Sequence, residues 1–235
     1  MYSYDSRIRY SECDDKCRLK PEALMNYFQD ASTFQSEDLG VGINYLLPRN
    51  LVWVLVSWQI EIERWPILGE HVEICTFPHD FKGFMGSRNF FIQTKEGEML
   101  AKANTLWTLL SFDTMKPAMP PADMLEKYPV EPCLEMNYAG RKIAVGENGE
   151  KKSPIVVCKR HLDSNHHVNN AQYVSMAAEY LPVEFEMTGL RVEYKAQAHL
   201  GDVLVPYVVQ EQKRVVVSLR NEQDTVYVNV EFTTH

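Results

Sequence analysis

The sequence predicts an α+β fold made of two similar halves, and three observations predict it. An amphipathic helix followed by a run of short strands occurs twice along the 235 residues. Segments of the two runs match residue by residue at fixed offsets. Between them, residues 116–132 hold five of the twelve prolines, which neither a helix nor a central strand tolerates. A polar stretch over 139–153 follows. The expected organisation is therefore a first half over 1–115, a proline-rich linker over 116–150 running across the surface, and a second half over 151–235.

In the first half Pro21 suits the first helical position, with Lys20 at the cap. Leu24, Phe28, Ala31 and either Phe34 or Gln35 then recur at helical spacing. Strands are expected at about 51–63, 71–77, 88–94 and 99–110, the last two separated by a turn at Gly97. In the second half Asn169, with Gln172 three residues on, has the pattern of a capping box. Val168, Ala171, Val174, Ala178 and Leu181 make one apolar helical face. Strands follow near 188–196, 203–210, 215–220 and 225–232. In the last of these Val226, Val228, Val230 and Phe232 alternate with Tyr227, Asn229 and Glu231.

The internal match has two parts. Ile60-Glu61-Ile62 before Gly69-Glu70 aligns with Val192-Glu193-Tyr194 before Gly201-Asp202, an offset of 132 (201 − 69). Asp14, Lys16, Arg18 and Lys20-Pro21 align with Asp163, Asn165, His167 and Asn169-Asn170, an offset of 149 (163 − 14). The difference of 17 residues is extra chain between helix and strand in the first half. One helix lying on one curled sheet buries each apolar stripe economically. Two such halves side by side would share a continuous sheet, a pseudo-dimer in one chain.

Composition narrows the function. Apolar residues make up 45% and charged residues 24%, which fits a globular protein rather than a disordered or fibrous one. The longest apolar run, Leu51 to Val56, is far short of the ~18 residues a membrane helix needs. The first ten residues resemble neither a secretory signal nor a transit peptide, so a cytoplasmic protein is expected. Five cysteines at irregular spacing suggest reduced thiols. A net charge of −8 disfavours nucleic acid as a partner.

The densest polar cluster is residues 160–170, directly before the second helix. Asp163, Asn165 and His167 alternate, so in an extended approach they project to one side. Histidine suits proton transfer near neutral pH, asparagine offers a neutral donor to a carbonyl oxygen, and a helix N-terminus presents N–H groups to a developing oxyanion. The set suits acyl transfer or hydrolysis. The same residue types also serve as plain caps and turns. A zinc site from Cys158, His161, His166 and His167 fits no common spacing, and no metal is expected.

The segment Asp163-x-Asn165-x-His167-Val168-Asn169-Asn170-x-x-Tyr173, with Glu179 further along the helix, resembles the acyl-acyl carrier protein thioesterases of plants and bacteria. Val192-Glu193-Tyr194-Lys195 before Gly201-Asp202 is similar to a second landmark of that family. Asn50-Leu51-Val52-Trp53-Val54 and Trp65-Pro66-x-x-Gly69-Glu70 resemble family segments in the first half, so the similarity runs from about Tyr10 to Phe232. The resemblance implies a double hotdog fold and hydrolysis of fatty acyl-[acyl carrier protein] thioesters by water, releasing free fatty acid, without metal or cofactor. It places Asp163, Asn165 and His167 among the family's loop residues.

Plant members carry a Glu and then a Cys on the neighbouring strand, where this chain has Gln197 and Ala198. Ala198 removes a cysteine nucleophile there, and Gln197 can hold a water but not take a proton. The expected roles are His167 as general base or acid, Asn165 polarising the carbonyl, Asp163 orienting the site or acting as base, and Gln197 positioning water. Glu179 is a further candidate for the carboxylate.

Lys16 and Arg18 occupy the corresponding positions of the first half, and Trp65 stands opposite Gln197, so that half lacks the chemistry. It holds all four tryptophans and eight of the ten phenylalanines. These aromatics either fill a core or line an acyl tunnel between helix and sheet, with Trp53, Trp58, Phe90 and Trp107 the candidates for the tunnel. Arg141, Lys142, Lys151, Lys152, Lys159 and Arg160 lie close in sequence to the loop. They form either a solvated face or a contact for an acidic acyl carrier protein. An acyl-coenzyme A thioesterase is the nearest alternative, followed by a hotdog dehydratase and a non-catalytic acyl-binding protein. Monomer and homodimer are both compatible with fused halves.

Overall fold

A computed structural model describes residues 1–235. Its chain divides into two compact units, Met1–Val56 with Glu61–Tyr138 and Ser57–Ile60 with Ala139–His235. The first contains β1 (Tyr2–Arg7), α1 (Pro21–Asp38), α2 (Ile43–Leu46), β2 (Leu51–Ile62), β3 (His71–Lys82), β4 (Met85–Thr94), β5 (Met99–Ser111) and α3 (Ala122–Leu125). Part of β2, Ser57–Ile60, groups with the second unit. That unit adds β6 (Glu150–Lys151), β7 (Ile155–Val156), α4 (Asn170–Ala178), β8 (Gly189–Tyr194), β9 (Val203–Glu211), β10 (Arg214–Arg220) and β11 (Val226–Thr233). Strand order is β1-β3-β4-β5-β2 in the first unit and β8-β11-β10-β9-β6 in the second, where β7 also pairs with β9. Each unit lays one long helix on an antiparallel sheet, the hotdog arrangement. No helix is long and apolar enough to cross a membrane.

Pro21 opens α1 because its fixed φ suits the first turn and its missing N–H would have had no partner there. Leu24, Phe28, Ala31 and Gln35 form the buried stripe, while Phe34 is 44% exposed. The last position of the apolar repeat is therefore filled by a polar side chain. Phe28 meets Phe90 of β4 with ring centroids 5.4 Å apart, anchoring helix to sheet. β1 has no counterpart among the expected strands. Its sequence, Tyr-Ser-Tyr-Asp-Ser-Arg, lacks an apolar alternation because it forms the sheet edge beside β3 and only half of it is covered.

Most residues of the linker are exposed, and a few anchor it to the sheets. Leu134 packs on Cys75, Phe77 and Phe91, and Asn89 Oδ1 accepts the Leu134 N–H and the Tyr138 hydroxyl, both at 3.1 Å. In the second unit Ile143 packs with Val209 and Val216. Each stretch thus covers the sheet face that its unit's long helix leaves bare. For the same reason the polar side of β11 is not solvated: Asn229 and Glu231 are buried. Glu231 is paired with Arg191 at 2.6 Å and with Arg214, whose guanidinium also reaches Ala144 O.

Glu193 is a second buried carboxylate of that face. Burial alone would raise its pKa. Hydrogen bonds from Ile143 N (3.2 Å) and Asn229 Nδ2 (3.1 Å), with Lys195 nearby, outweigh burial and hold it below the ordinary glutamate value. A carboxyl depressed on folding stabilises the protein fully above its unfolded pKa, and that contribution is lost as pH falls through the folded value. Glu193→Gln should therefore lower Tm at pH 7. By calorimetry, the difference from wild type should shrink as the pH drops below about 4.3. A pH-independent difference would mean that shape, not charge, matters at this position.

Candidate active site

The loop before α4 is ordered by one carboxylate. Asp163 Oδ1 accepts the backbone N–H of Asn165 at 2.8 Å and of His167 at 3.2 Å, while Asp163 N donates to His167 O at 2.8 Å. This Asx turn brings His166 to a positive φ of 62°, a conformation the turn stabilises locally. Val168 N then donates to Ala198 O at 2.9 Å, tying the loop to the segment after β8.

The first unit repeats this scaffold bond for bond. Asp14 Oδ1 accepts from Lys16 N (2.9 Å) and Arg18 N (2.8 Å), Asp14 N donates to Arg18 O, and Cys17 has φ 59°. Leu19 N reaches Pro66 O as Val168 N reaches Ala198 O. Ile67 N donates to Glu70 Oε2 as His199 N donates to Asp202 Oδ2, and Gly69 and Gly201 share a positive φ. Both sequence offsets thus hold at the level of individual hydrogen bonds, and only the presented side chains differ.

Asn169 caps α4, its side chain accepting Ala171 N–H at 2.9 Å, while its carbonyl accepts Gln172 N–H at 2.9 Å. The reciprocal glutamine arm of a capping box is not used. Two first-turn N–H groups are thereby committed to the cap, which corrects the expectation of a row of unpaired donors for an oxyanion. Tyr173, on the helix itself, meets Tyr194 of β8 ring to ring at 6.2 Å. Tyr194 donates to Asn170 O at 3.0 Å, and Tyr173 Oη accepts Ala198 N–H at 2.9 Å. Burial pushes the Tyr173 hydroxyl up to about 12.

On this frame the side chains of Asn165 (exposed) and His167 (half-buried) form no hydrogen bond within the protein. The His167 ring meets the His199 ring edge-on, with centroids 4.8 Å apart and planes at 78°. Asp202 Oδ2 accepts from His199 N (2.8 Å) and from the Tyr227 hydroxyl (3.3 Å), and lies 3.8 Å from His199 Nδ1. His161 stands apart: it is buried, its Nδ1 accepts Cys158 N–H at 3.1 Å, and burial followed by the Arg160 charge holds its pKa down. No group of three or more His, Cys, Asp or Glu side chains is arranged to hold a metal ion.

Family models for the acyl-ACP thioesterase N-terminal domain and C-terminal domain match residues 1–128 and 147–234. The chain belongs to the acyl-ACP thioesterase family. It is 27% identical over 199 residues to a chloroplastic acyl-[acyl-carrier-protein] hydrolase of Cuphea viscosissima, covering 78% of this chain and 48% of that protein. It is 28% identical over 219 residues to oleoyl-acyl carrier protein thioesterase 2 of Arabidopsis thaliana, covering 84% and 59%. The chain thus spans about half the length of the curated relatives it matches. Among solved structures, an acyl-ACP thioesterase from Bacteroides thetaiotaomicron superposes with a TM-score of 0.91 at 22% identity, over 98% of this chain and 96% of that one. A 12:0-ACP thioesterase from Umbellularia californica superposes with a TM-score of 0.87 at 18% identity, over 99% and 96%. Those likenesses establish the fold.

Within this acyl-ACP thioesterase family chain the other candidate residues are distributed as follows. Gln197 is exposed, next to the buried Ala198. The pairing of His167 with His199 puts His199, rather than Gln197, directly beside the loop. Glu179 is exposed at the far end of α4, away from the loop that precedes the helix. Of the aromatic candidates, Phe90 lies in the helix–sheet layer of the first unit. There Trp107 donates Nε1–H to Thr105 Oγ1 at 2.8 Å, and Trp53 packs near Phe81. Trp58 is buried in the part of β2 that groups with the second unit, contrary to its expected place in the first. Among the six cations, Lys151 is paired with Asp224 at 2.9 Å and Lys152 with Glu150 at 2.6 Å, whereas Arg141, Lys142, Lys159 and Arg160 are exposed without a carboxylate partner.

Tyr173→Phe removes the acceptor of the buried Ala198 N–H. It should destabilise the protein by about 1–3 kcal/mol in urea unfolding, the usual cost of an unsatisfied buried donor. An unchanged midpoint would show that water replaces the hydroxyl.

Proposed function

We propose that the chain hydrolyses the thioester of a fatty acyl chain carried on acyl carrier protein, releasing free fatty acid. One observation carries this reading: in a member of the acyl-ACP thioesterase family, an Asx turn fixes a loop that presents an uncommitted imidazole and an uncommitted amide together. His167 takes a proton from water as its oxygen attacks the thioester carbon. The Asn165 amide donates to the carbonyl oxygen as negative charge builds there. The tetrahedral intermediate collapses, the carbon–sulfur bond breaks, and His167 returns the proton to the thiolate.

Asp163 Oδ1 is occupied by the turn, which supports an orienting role for it. The acyl chain lies between α1 and the sheet of the first unit, beside Phe90 and Trp107. Arg141, Lys142, Lys159 and Arg160 supply the cations for the carrier protein. The enzyme works in the cytoplasm, and Gln197 holds the attacking water.

The test is thiol release from acyl carrier protein and coenzyme A esters of C8 to C18 chains. Chain-selective cleavage of the carrier protein series is expected, falling by roughly 100-fold or more in His167→Ala, the usual scale for a lost general base. Preference for the coenzyme A series would point to the alternative ester, and no cleavage of either series by folded wild type would overturn the reading.

His199 acts as a positioning residue, its ring limiting the rotation of His167. His199→Ala should lower kcat by about 10-fold with little change in KM, the pattern of a misoriented base. His199→Phe, which keeps the edge-on contact, should restore most of kcat. Loss in both variants with a displaced pH–rate profile would instead mean that the second imidazole takes part in the proton transfer.

A further inference from the structure

The first unit contains a buried cation without a counter-ion. On β4, Arg88 faces α1 two residues before Phe90 and keeps only 7% of its surface accessible. Its Nη1 donates to Gln35 Oε1 of α1 and to Thr76 Oγ1 of β3, the latter at 3.1 Å. Its Cζ stands 5.6 Å from the centre of the Tyr128 ring, whose hydroxyl is bonded to Ser36 Oγ at 2.8 Å. All of these partners are neutral, and no carboxylate forms an ion pair with Arg88. Burial lowers its pKa to about 10, which leaves the guanidinium charged at neutral pH.

A buried charge held only by neutral groups is costly, and a well-packed apolar side chain would stabilise the unit better. The pattern of its bonds suggests what the charge is for. Gln35 and Thr76 both take the same nitrogen, Nη1. The opposite edge, Nε–H and Nη2–H, has no protein partner, and neither atom is among the buried polar atoms sealed from water. Those two N–H groups are parallel, the side-on fork that matches the two oxygens of a carboxylate. Gln35 and Thr76 fix the plane of the fork from helix and sheet. The edge lies in the same layer as Phe28 and Phe90, where an aliphatic chain has apolar company.

We propose that the Nε–Nη2 edge of Arg88 is a subsite for an aliphatic carboxylate inside the acyl-binding layer of the first unit. This rests on the reading that the acyl chain lies in that layer. The carboxylate comes either from released fatty acid, which then acts as a product inhibitor, or from the far end of an ω-carboxyacyl substrate.

Binding of decanoate and of 1-decanol to the full chain, measured by calorimetry and by tryptophan fluorescence, tests the subsite. Wild type should hold decanoate at least about 10-fold more tightly than the alcohol, the least that a charge-assisted pair contributes. Arg88→Met and Arg88→Lys should each abolish that preference while retaining the alcohol, since lysine lacks the fork. Equal binding of acid and alcohol by wild type overturns the subsite and leaves the acyl layer standing, a result that depends on neither variant folding. Binding of neither ligand overturns the acyl layer and the subsite together. Inhibition of decanoyl ester hydrolysis by decanoate identifies free acid as the source. A higher kcat/KM for the 9-carboxynonanoyl ester than for the decanoyl ester, lost in Arg88→Met, identifies the ω-carboxylate.

Discussion

Two backbone N–H groups converge on Asp163 Oδ1, and their direction decides where Asn165 and His167 project. A six-membered stretch of loop has no helix or sheet ladder to hold it, so an internal acceptor must do so. The loop is therefore held by its own backbone and one carboxylate, and the side chains of Asn165 and His167 are not recruited into holding it. Preorganisation of this kind allows a modest set of neutral groups to stabilise developing charge, because little reorganisation remains to be done.

The same turn around Asp14 holds Lys16 and Arg18, with the same bonds to the segment ending at Glu70. Backbone scaffold and side-chain chemistry have thus separated. The scaffold is kept in both units because each needs its helix started at a fixed angle to its sheet. The asparagine and histidine are present in one. In the other, the layer beneath the helix has acquired aromatic bulk and a buried guanidinium. Stability on the opposite faces comes from the linker, which supplies backbone donors and acceptors to Asn89, Glu193, Arg191 and Arg214. Asn89 and Glu193 could not be buried without it.

Most of the element order was legible because helical and strand periodicity leave distinct traces. The start of α1 at Pro21, the cap at Asn169 and the strands of both sheets follow from the spacing of apolar residues and from local turn chemistry. β1 was not legible, since an edge strand has no full apolar alternation. Nor was the burial of Asn229 and Glu231, because an alternating strand reads the same whether its polar side meets water or a covering chain.

The sequence by itself determined the two halves, the loop that carries Asp163, Asn165 and His167, and the fact that only the second half has those side chains, because these are properties of local order and of the internal repeat. The placement of His199 against His167 was decided only in three dimensions. It depends on a backbone pairing between segments 32 residues apart (199 − 167), and nothing in either segment specifies the other. Arg88 is the same kind of case. A lone arginine in a strand reads as a surface residue, and only the helix packed over β4 turns it into a buried cation with one edge uncommitted. Local periodicity fixes what each element is. Long-range packing fixes which groups meet, and the chemistry depends on that meeting.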